Sequence, residues 1–489
     1  MSASELAQVG AVLGGAGFAT LALGRPRALR LAGFGAWAVG VALFLPLLAP
    51  SGHALRLGGL AVVGILVAGA FAVVFRRWPW ALAFLALGAA PVRIPVHVGD
   101  TSANLLVPLY AVIAGAALAL AWGLWRDEPR SRELGPASLP VAALSAWFAL
   151  SLVWSGDVRQ GSITLFFFIF PFGLLAFALA RLPWSGRFVT CLYAELAALA
   201  LVFAAVGIGQ WVTRDIFWNP KVIVGNAYAP FYRVNSVFWD PSIYGRFLVV
   251  AILATLSLLL FRAIRDPFTE IVAAAVIVVL WIGLVFSFSQ SSFVSLAVGV
   301  VLAASLAWRW RAAAAVAIVA AVMIPLGVAS PQLHTVRHDL VASSASGINR
   351  ATSGRFRLVE NGLRIAEHHP IVGVGIGGFQ RAYAERLHLR RGSPKAASHN
   401  TPVTVFAETG VIGFGLFVWM LVAAFLLAFR GNGAVGRAPE RAAAIAGIAF
   451  VAIVVHSQFY NAFFEDPLIW GLLALTAIAL RARQEEAMA

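Results

Sequence analysis

The sequence of 489 residues is 61% hydrophobic, and 12% of its residues carry charge, about half the ~25% of an average soluble domain. This composition excludes a disordered chain and an ordinary soluble enzyme, and it provides apolar residues for about fifteen membrane spans of ~20 residues each. The 36 basic and 21 acidic residues give a net charge of +15. Membrane proteins concentrate such charge in cytoplasmic loops, and no basic run is interleaved with aromatics, so we expect no nucleic-acid partner.

In chain order, the apolar stretches end at short turns that carry clustered arginines. Between consecutive clusters lies enough chain for two membrane crossings, and the positive-inside rule places the clusters and the C-terminus in the cytoplasm. The sequence therefore predicts an all-α, polytopic integral membrane protein with about 12 to 15 transmembrane helices in the lipid bilayer. The clusters are Arg25/Arg27/Arg30, Arg76/Arg77, Arg126/Arg130/Arg132, Arg181/Arg187, Arg262/Arg265, Arg309/Arg311, Arg430/Arg437/Arg441 and Arg481/Arg483.

Two predicted external segments are long, one at 213–240 and one at 331–401. They divide the chain into a transmembrane region (1–330), a large external loop (331–401) and C-terminal transmembrane helices (402–489). The large loop holds ten basic residues, which indicates an anionic partner, either lipid head groups or a substrate phosphate.

The large loop contains a predicted surface helix and a glycine-rich turn. The helix starts at Arg355, has Arg357 on its polar side, and ends at His368. The turn follows His369 and contains G-x-G-x-x-G at 373–378. A dinucleotide site would require a strand before this motif and a soluble βαβ unit around it, so the sequence favours a turn that lets backbone approach a ligand or a neighbouring helix.

The end of the loop, His399-Asn400-Thr401-Pro402, predicts a helix N-terminus with Thr401 as the N-cap and Glu408 near the start of the span. A helix N-terminus suits a phosphate. A neutral His399 at that position could take a proton from an attacking hydroxyl near pH 7. A purely structural role for this histidine is the alternative.

The shorter segment carries Arg233 and is followed by Arg246, about one turn into the next helix. Arg246 either snorkels to head groups or helps to clamp a phosphate. No His/Asp/Glu set has the spacing of metal ligands, so the sequence predicts no metal and no cofactor.

Together these motifs resemble the O-antigen ligase and polysaccharide polymerase superfamily. The resemblance rests on Arg355 opening a helix, on H-P-x-x-G-x-G-x-G-G-F from His369 to Phe379, and on H-N-T-P followed by E-T-G from His399 to Gly410. It extends to D-P-S-I-Y-G-R at 240–246 and to the segments 91–95 and 104–110, which are typical of the early helices of this superfamily.

The resemblance implies a GT-C-like membrane glycosyltransferase in the inner (cytoplasmic) membrane, with its active site on the periplasmic face. Such proteins take a glycan from an undecaprenyl-pyrophosphate carrier and transfer it without a metal to a lipid or glycan acceptor, or to protein. His399 would then be the general base, and Arg233 and Arg355 would hold the pyrophosphate. Asn400, Glu408, Arg357, Arg246, His369 and Gln290 would contact substrate.

One residue departs from the family pattern, since Gln290 stands where the superfamily often has an arginine. Glutamine can donate hydrogen bonds to phosphate oxygens but brings no charge. Either Arg246 or Arg357 would then supply the missing positive charge, or this chain belongs to a divergent subfamily. A ligase is the first hypothesis and a repeat-unit polymerase the second. A transporter or flippase, and a structural membrane protein, are the alternatives outside the superfamily.

Overall fold

We describe a computed structural model of the protein. It describes residues 1–49, 54–98, 101–128, 135, 137–228, 231–308, 355–389, 398–430 and 436–488. The predicted cluster Arg309/Arg311 and much of the predicted loop 331–401 fall in 309–354 and 390–397, outside the described residues.

The described chain is an assembly of helices, as predicted. In its first half these are α1 (Ala3–Leu23), α2 (Arg27–Ala42), α3 (Leu45–Leu48), α4 (Ala54–Arg77), α5 (Ala81–Ala89), α6 (Val107–Arg126), α7 (Ser138–Ser151), α8 (Val158–Ala180), α9 (Gly186–Thr213) and α10 (Pro220–Tyr228). In its second half they are α11 (Pro241–Leu260), α12 (Pro267–Ser287), α13 (Gln290–Trp308), α14 (Arg355–His368), α15 (Phe379–Arg386), α16 (Thr401–Phe429), α17 (Ala438–His456) and α18 (Pro467–Met488).

Ten of the described helical stretches are long and apolar enough to cross a membrane. Their outward surfaces are also apolar: Val212 on α9 is 69% exposed and Ile271 on α12 is 68% exposed. Because a soluble protein would place polar residues on such faces, these surfaces fit contact with lipid chains. The protein is therefore a polytopic helical membrane protein.

A short hairpin is the local departure from the all-helical expectation. Strands β1 (Ile94–Val98) and β2 (Thr101–Leu105) pair antiparallel, with Ile94 opposite Leu105. The resemblance had assigned the motifs at 91–95 and 104–110 to early helices, but residues 94–98 and 101–105 are extended.

The helices pack around two hydrophobic clusters. One is built mainly by α1, α6, α7, α8 and α18, and the other by α9, α11, α12, α13 and α17. Close helix approach in the first cluster depends on small residues, since a Cβ on Gly17 would lie 2.3 Å from the backbone nitrogen of Trp37 on α2. The second cluster positions the ends of α9, α11, α12 and α17, where the candidate site lies.

Candidate active site

The two ends of the helix bundle differ in chemistry. At one end, which we call the arginine face, Arg76 pairs with Glu128 (Nη2–Oε1 2.8 Å) and Arg481 donates to the carbonyl of Leu182 (2.8 Å). Arg27 donates to the carbonyl of Trp125 at the same end. These three arginines come from three of the predicted clusters and lie at the same end of the bundle, although they are distant in the chain.

The opposite end of the bundle, which we call the site face, gathers four polar segments: 214–240, 287–290, 398–401 and 457–466. They lie where α9, α12 and α17 end and where α11, α13, α16 and α18 begin. The glycine-rich turn is also at this face, because Ser155, between α7 and α8, donates to the carbonyl of Ile376 (2.7 Å).

His399 lies in a tightly bonded loop before α16. Its φ of 54° is a conformation that costs non-glycine residues energy and that histidine, asparagine and aspartate adopt more readily than most. The buried Ser398 hydroxyl accepts from the Asn400 backbone (3.0 Å) and donates to the Asn400 carbonyl (2.7 Å). These bonds hold His399 half-buried at the helix start.

Asn400, predicted to contact substrate, caps α16. Its Oδ1 accepts from the Val403 backbone (2.9 Å) and its Nδ2 donates to the carbonyl of Gln458 (3.0 Å). The sequence had predicted Thr401 as the N-cap, and this was wrong by one residue. The short Asn side chain suits this cap because its Oδ1 can satisfy one of the first free N–H groups of the helix. Both hydrogen bonds of the amide therefore go to protein atoms.

Arg233 is fixed from both its backbone and its side chain. The Asn226 amide donates to the Arg233 carbonyl (2.8 Å) and accepts from its N–H (3.0 Å), and Arg233 Nε donates to the carbonyl of Ser287 (3.2 Å). The segment is anchored further by Gln210 of α9, which accepts from the Ser236 backbone (2.7 Å). Among the described residues only Nε of this guanidinium has a hydrogen-bond partner, which leaves its two terminal nitrogens for other contacts.

Arg233, Arg355 and His399 converge electrostatically around Asp240. Burial lowers the pKa of the His399 imidazole, the charge of Arg355 lowers it further, and Asp240 partly offsets both effects. Burial also lowers the pKa of the Arg233 guanidinium, which Asp240 raises and Arg355 lowers. The three residues that the sequence proposed as catalytic are thus electrostatic neighbours, and the lowered pKa of His399 favours the neutral imidazole.

The glycine-rich turn packs against α16. Gly373 and Gly377 have φ values of 69° and 77°, and a Cβ on Gly373 would lie 2.3 Å from the Glu408 carbonyl carbon. Glu408 Oε1 accepts from the Phe379 backbone (3.3 Å). The interpretation of this motif as a turn for close backbone approach is confirmed, and Glu408 binds the turn.

Arg246, a candidate phosphate ligand, is engaged in a buried ion pair. Its Nε lies 2.7 Å from Asp466 Oδ2, and the two side chains are 4% and 6% exposed. The Tyr460 ring lies 6.0 Å from the guanidinium carbon. Within the described part of the chain Nη1 has no hydrogen-bond partner, so one edge of this cation remains available for a further contact.

The other predicted contact residues lie around this region. Gln290 is exposed at the start of α13, directly after the break at Phe288 and Ser289. Arg357 is exposed in the first turn of α14, and His369 is exposed just after the end of that helix. Their roles as substrate contacts remain predictions.

Sequence reasoning missed three residues of this region: Asp240, His456 and Asp466. Asp240 caps α11 by accepting from the Ser242 backbone (2.7 Å). His456 is fully buried, and its Nε2 lies 3.0 Å from Ser291 Oγ. The adjacent acids Glu465 and Asp466 were a signal, because carboxylates are scarce in this sequence. In the described residues no three His, Cys, Asp or Glu side chains form a metal-binding group.

An apolar groove of about 470 Å³ runs along the bundle below the site, within the ~300–1,000 Å³ of typical ligand pockets. Helices α5, α8, α9, α11, α17 and α18 line it, with Trp184 and Arg441 towards the arginine face. Its other end shares Ala90, Pro467 and Leu468 with a small pocket that includes Arg246 and Asp466. The groove thus leads to polar residues beside the candidate site.

The bundle defines a polytopic membrane protein, and Arg233, Arg246 and His399 lie at one end of it. Residues 273–418 match the family model described as O-antigen ligase. This match confirms the superfamily resemblance and covers Arg355 and His399, while Arg233 precedes it. Among curated proteins, none matches the chain.

Proposed function

We propose that this protein is a membrane glycosyltransferase that moves a glycan from a polyprenyl-pyrophosphate carrier to an acceptor hydroxyl, as an O-antigen ligase does. The observation that carries the proposal is the proximity of Arg233, Arg355 and His399, since the charge of Arg355 lowers the pKa of both other groups. Arg355 and His399 lie inside the family match. The segments 213–240 and 331–401 would then be the catalytic part of the chain.

The arrangement suits displacement of a pyrophosphate. The His399 imidazole would accept the proton of the acceptor hydroxyl, whose oxygen forms a bond to the anomeric carbon as the bond to the carrier phosphate breaks. The polyprenyl pyrophosphate leaves with its charge stabilised by Arg233 and Arg355. Attack opposite the leaving group inverts the anomeric centre.

The groove supports a lipid-linked donor. Its apolar lining fits a hydrocarbon chain, and its polar end next to Arg246 and Asp466 lies towards the catalytic residues. We propose that the polyprenyl tail occupies this groove while the pyrophosphate lies near Arg233.

The arrangement of charges supports a periplasmic site in the inner membrane. Arginine clusters favour the cytoplasmic side, and the candidate site is at the other end of the bundle. The cations at the site face belong to long segments, to which the positive-inside rule does not apply.

Glycan transfer in liposomes tests the proposal. Purified protein would receive a labelled polyprenyl-pyrophosphate oligosaccharide, with a chelator present and a core-like acceptor lipid added. We expect transfer by the wild type and a loss of about 10²-fold or more in His399→Asn. His388→Asn is the matched control, because both histidines have positive φ (54° and 48°) and asparagine tolerates that conformation.

The product separates the two hypotheses within the superfamily. Label on the acceptor lipid indicates a ligase, and longer chains on the carrier indicate a polymerase. Equal transfer by wild type and His399→Asn would refute His399 as the base.

A further inference from the structure

We infer that His456 and Ser291 form the link that sets the distance between the two halves of the candidate site. One half is the loop with His399, and the other is the break between α12 and α13, where Arg233 is attached. The inference deepens the proposed function and rests on it for its kinetic readout.

The link itself is a hydrogen bond between two buried side chains on different helices. His456, the last residue of α17, is 0% exposed, and its Nε2 lies 3.0 Å from Oγ of Ser291, which is 6% exposed in the first turn of α13. A buried imidazole without a hydrogen bond would destabilise the fold. A leucine in place of His456 would fill a similar space without forming a hydrogen bond. The polar pair therefore indicates that the distance and orientation between α13 and α17 matter.

From His456 the chain continues directly into the segment that holds the His399 loop. The Ser457 carbonyl accepts from the Thr401 backbone (3.0 Å), and the Gln458 carbonyl accepts from Asn400 Nδ2 (3.0 Å). Thr401 Oγ1 also donates to Asn461 Oδ1 (3.1 Å). The end of α17 therefore carries the loop on which His399 lies.

From Ser291 the hydrogen bonds continue to the residue that holds Arg233. Ser291 Oγ lies 3.1 Å from Ser289 Oγ, and the Ser289 backbone donates to Ser287 Oγ (3.3 Å). The carbonyl of Ser287 accepts from Arg233 Nε (3.2 Å). A continuous path thus connects Arg233 to His399, and the His456–Ser291 bond is its step between α13 and α17.

This path explains how residues far apart in sequence reach one geometry. In the proposed reaction the base must meet the acceptor hydroxyl while the arginine holds the leaving phosphate. A misplacement of about 1 Å between such groups can reduce the rate by about 10²-fold. His456 and Ser291 are accordingly positioning residues, because they act through other groups.

A double-mutant cycle in the liposome transfer assay tests the link. We expect His456→Leu and Ser291→Ala each to lower kcat by about 10- to 100-fold with the donor KM unchanged, and the double variant to be no slower than the slower single variant. His456→Gln, whose amide can reach Ser291, should recover part of the rate.

Ser295→Ala is the matched control, since this buried hydroxyl donates to its own helix at the Ser292 carbonyl (2.9 Å). Rate losses that multiply in the double variant, or a Ser291→Ala enzyme as fast as Ser295→Ala, would overturn the inference.

A spectroscopic measurement keeps the inference testable if wild-type protein transfers no glycan, an outcome that would count against the proposed function instead. Spin labels would be placed at Val294 on α13 and Val411 on α16, both exposed, after the single cysteine is removed by Cys191→Ser. Double electron–electron resonance should show a broader or shifted distance distribution in His456→Leu and in Ser291→Ala, but not in Ser295→Ala. An unchanged distribution in both linked variants would refute the positioning role.

Discussion

At the residue scale, the charges around His399 determine the pH at which it can act as a base. Burial and Arg355 lower its pKa, and Asp240 raises it. In the proposed mechanism the neutral imidazole is the base, so the rate should rise as pH increases through this pKa and become constant above the ordinary value of 6.5. The acidic limb of the rate–pH profile therefore lies below 6.5.

Asp240→Asn should move this limb to still lower pH. The substitution removes the negative charge that favours the imidazolium, so the pKa of His399 falls further. Asparagine caps a helix as well as aspartate does, so the start of α11 should remain intact. The measurement is kcat/KM against pH for both proteins, and a limb that moves upward would contradict this electrostatic interpretation.

The residues found from sequence and those missed differ in how their contacts arise. His399 and Arg233 were proposed from sequence because each lies in a short motif whose residue types already suggest phosphate chemistry, and their catalytic roles stay predictions. Asp240 and His456 were not proposed, because their importance depends on which helix ends meet after folding. Arg246 was recognisable as a cation, but its ion pair with Asp466, far along the chain, depends on tertiary packing.

At the element scale, Gly410 allows the glycine-rich turn to contact α16. It has a φ of 64° and a ψ of −168° inside the helix, and an added Cβ would lie 2.2 Å from the Ile371 carbonyl oxygen. Gly410→Ala should destabilise the protein by more than ~1 kcal/mol, because it adds a steric clash to an unfavourable backbone conformation.

Gly415 on the same helix provides the control. An added Cβ there meets nothing within 4 Å, and alanine has the higher helix propensity, so Gly415→Ala should keep or slightly raise stability. The comparison is the midpoint of thermal unfolding in detergent. A Gly410→Ala protein as stable as wild type would mean that the turn can move away from α16.

Local patterns predicted some elements and not others. The alternation of apolar and charged residues at 355–368 was sufficient for α14, and Asn-Thr-Pro gave the start of α16 to within one residue. The hairpin at 94–105 escaped prediction because its pairing is between strands of five residues, too short for a period to be recognised beside long apolar runs.

At the scale of the whole molecule, the groove offers a test that is independent of the catalytic residues. Gly471 of α18 lines it, and an added Cβ there meets no atom within 4 Å. Gly471→Phe should therefore fill the groove without displacing neighbouring helices. We expect the KM for a long-chain polyprenyl donor to rise by about 10-fold, from lost apolar burial, while a short-chain donor is affected much less.

Gly64→Phe on α4 is the control for this substitution. Gly64 is exposed and an added Cβ there also meets nothing within 4 Å, but it lies outside the groove. Both donors should behave as with wild type. An equal rise in KM for long and short donors in Gly471→Phe would place the lipid chain elsewhere.

The charge asymmetry of the bundle predicts its orientation. Residues at the arginine face should be cytoplasmic, and residues at the site face should be accessible from outside. Lys221→Cys on α10 samples the site face and Glu485→Cys near the end of α18 samples the arginine face; both native side chains are exposed. In a Cys191→Ser background, a membrane-impermeant thiol reagent should label the first variant in intact cells and the second only after permeabilisation. The reverse pattern would place His399 in the cytoplasm, where the proposed transfer to an external acceptor could not occur. The expected pattern would place His399, Arg233 and Arg355 on the external side, to which long basic loops can be translocated.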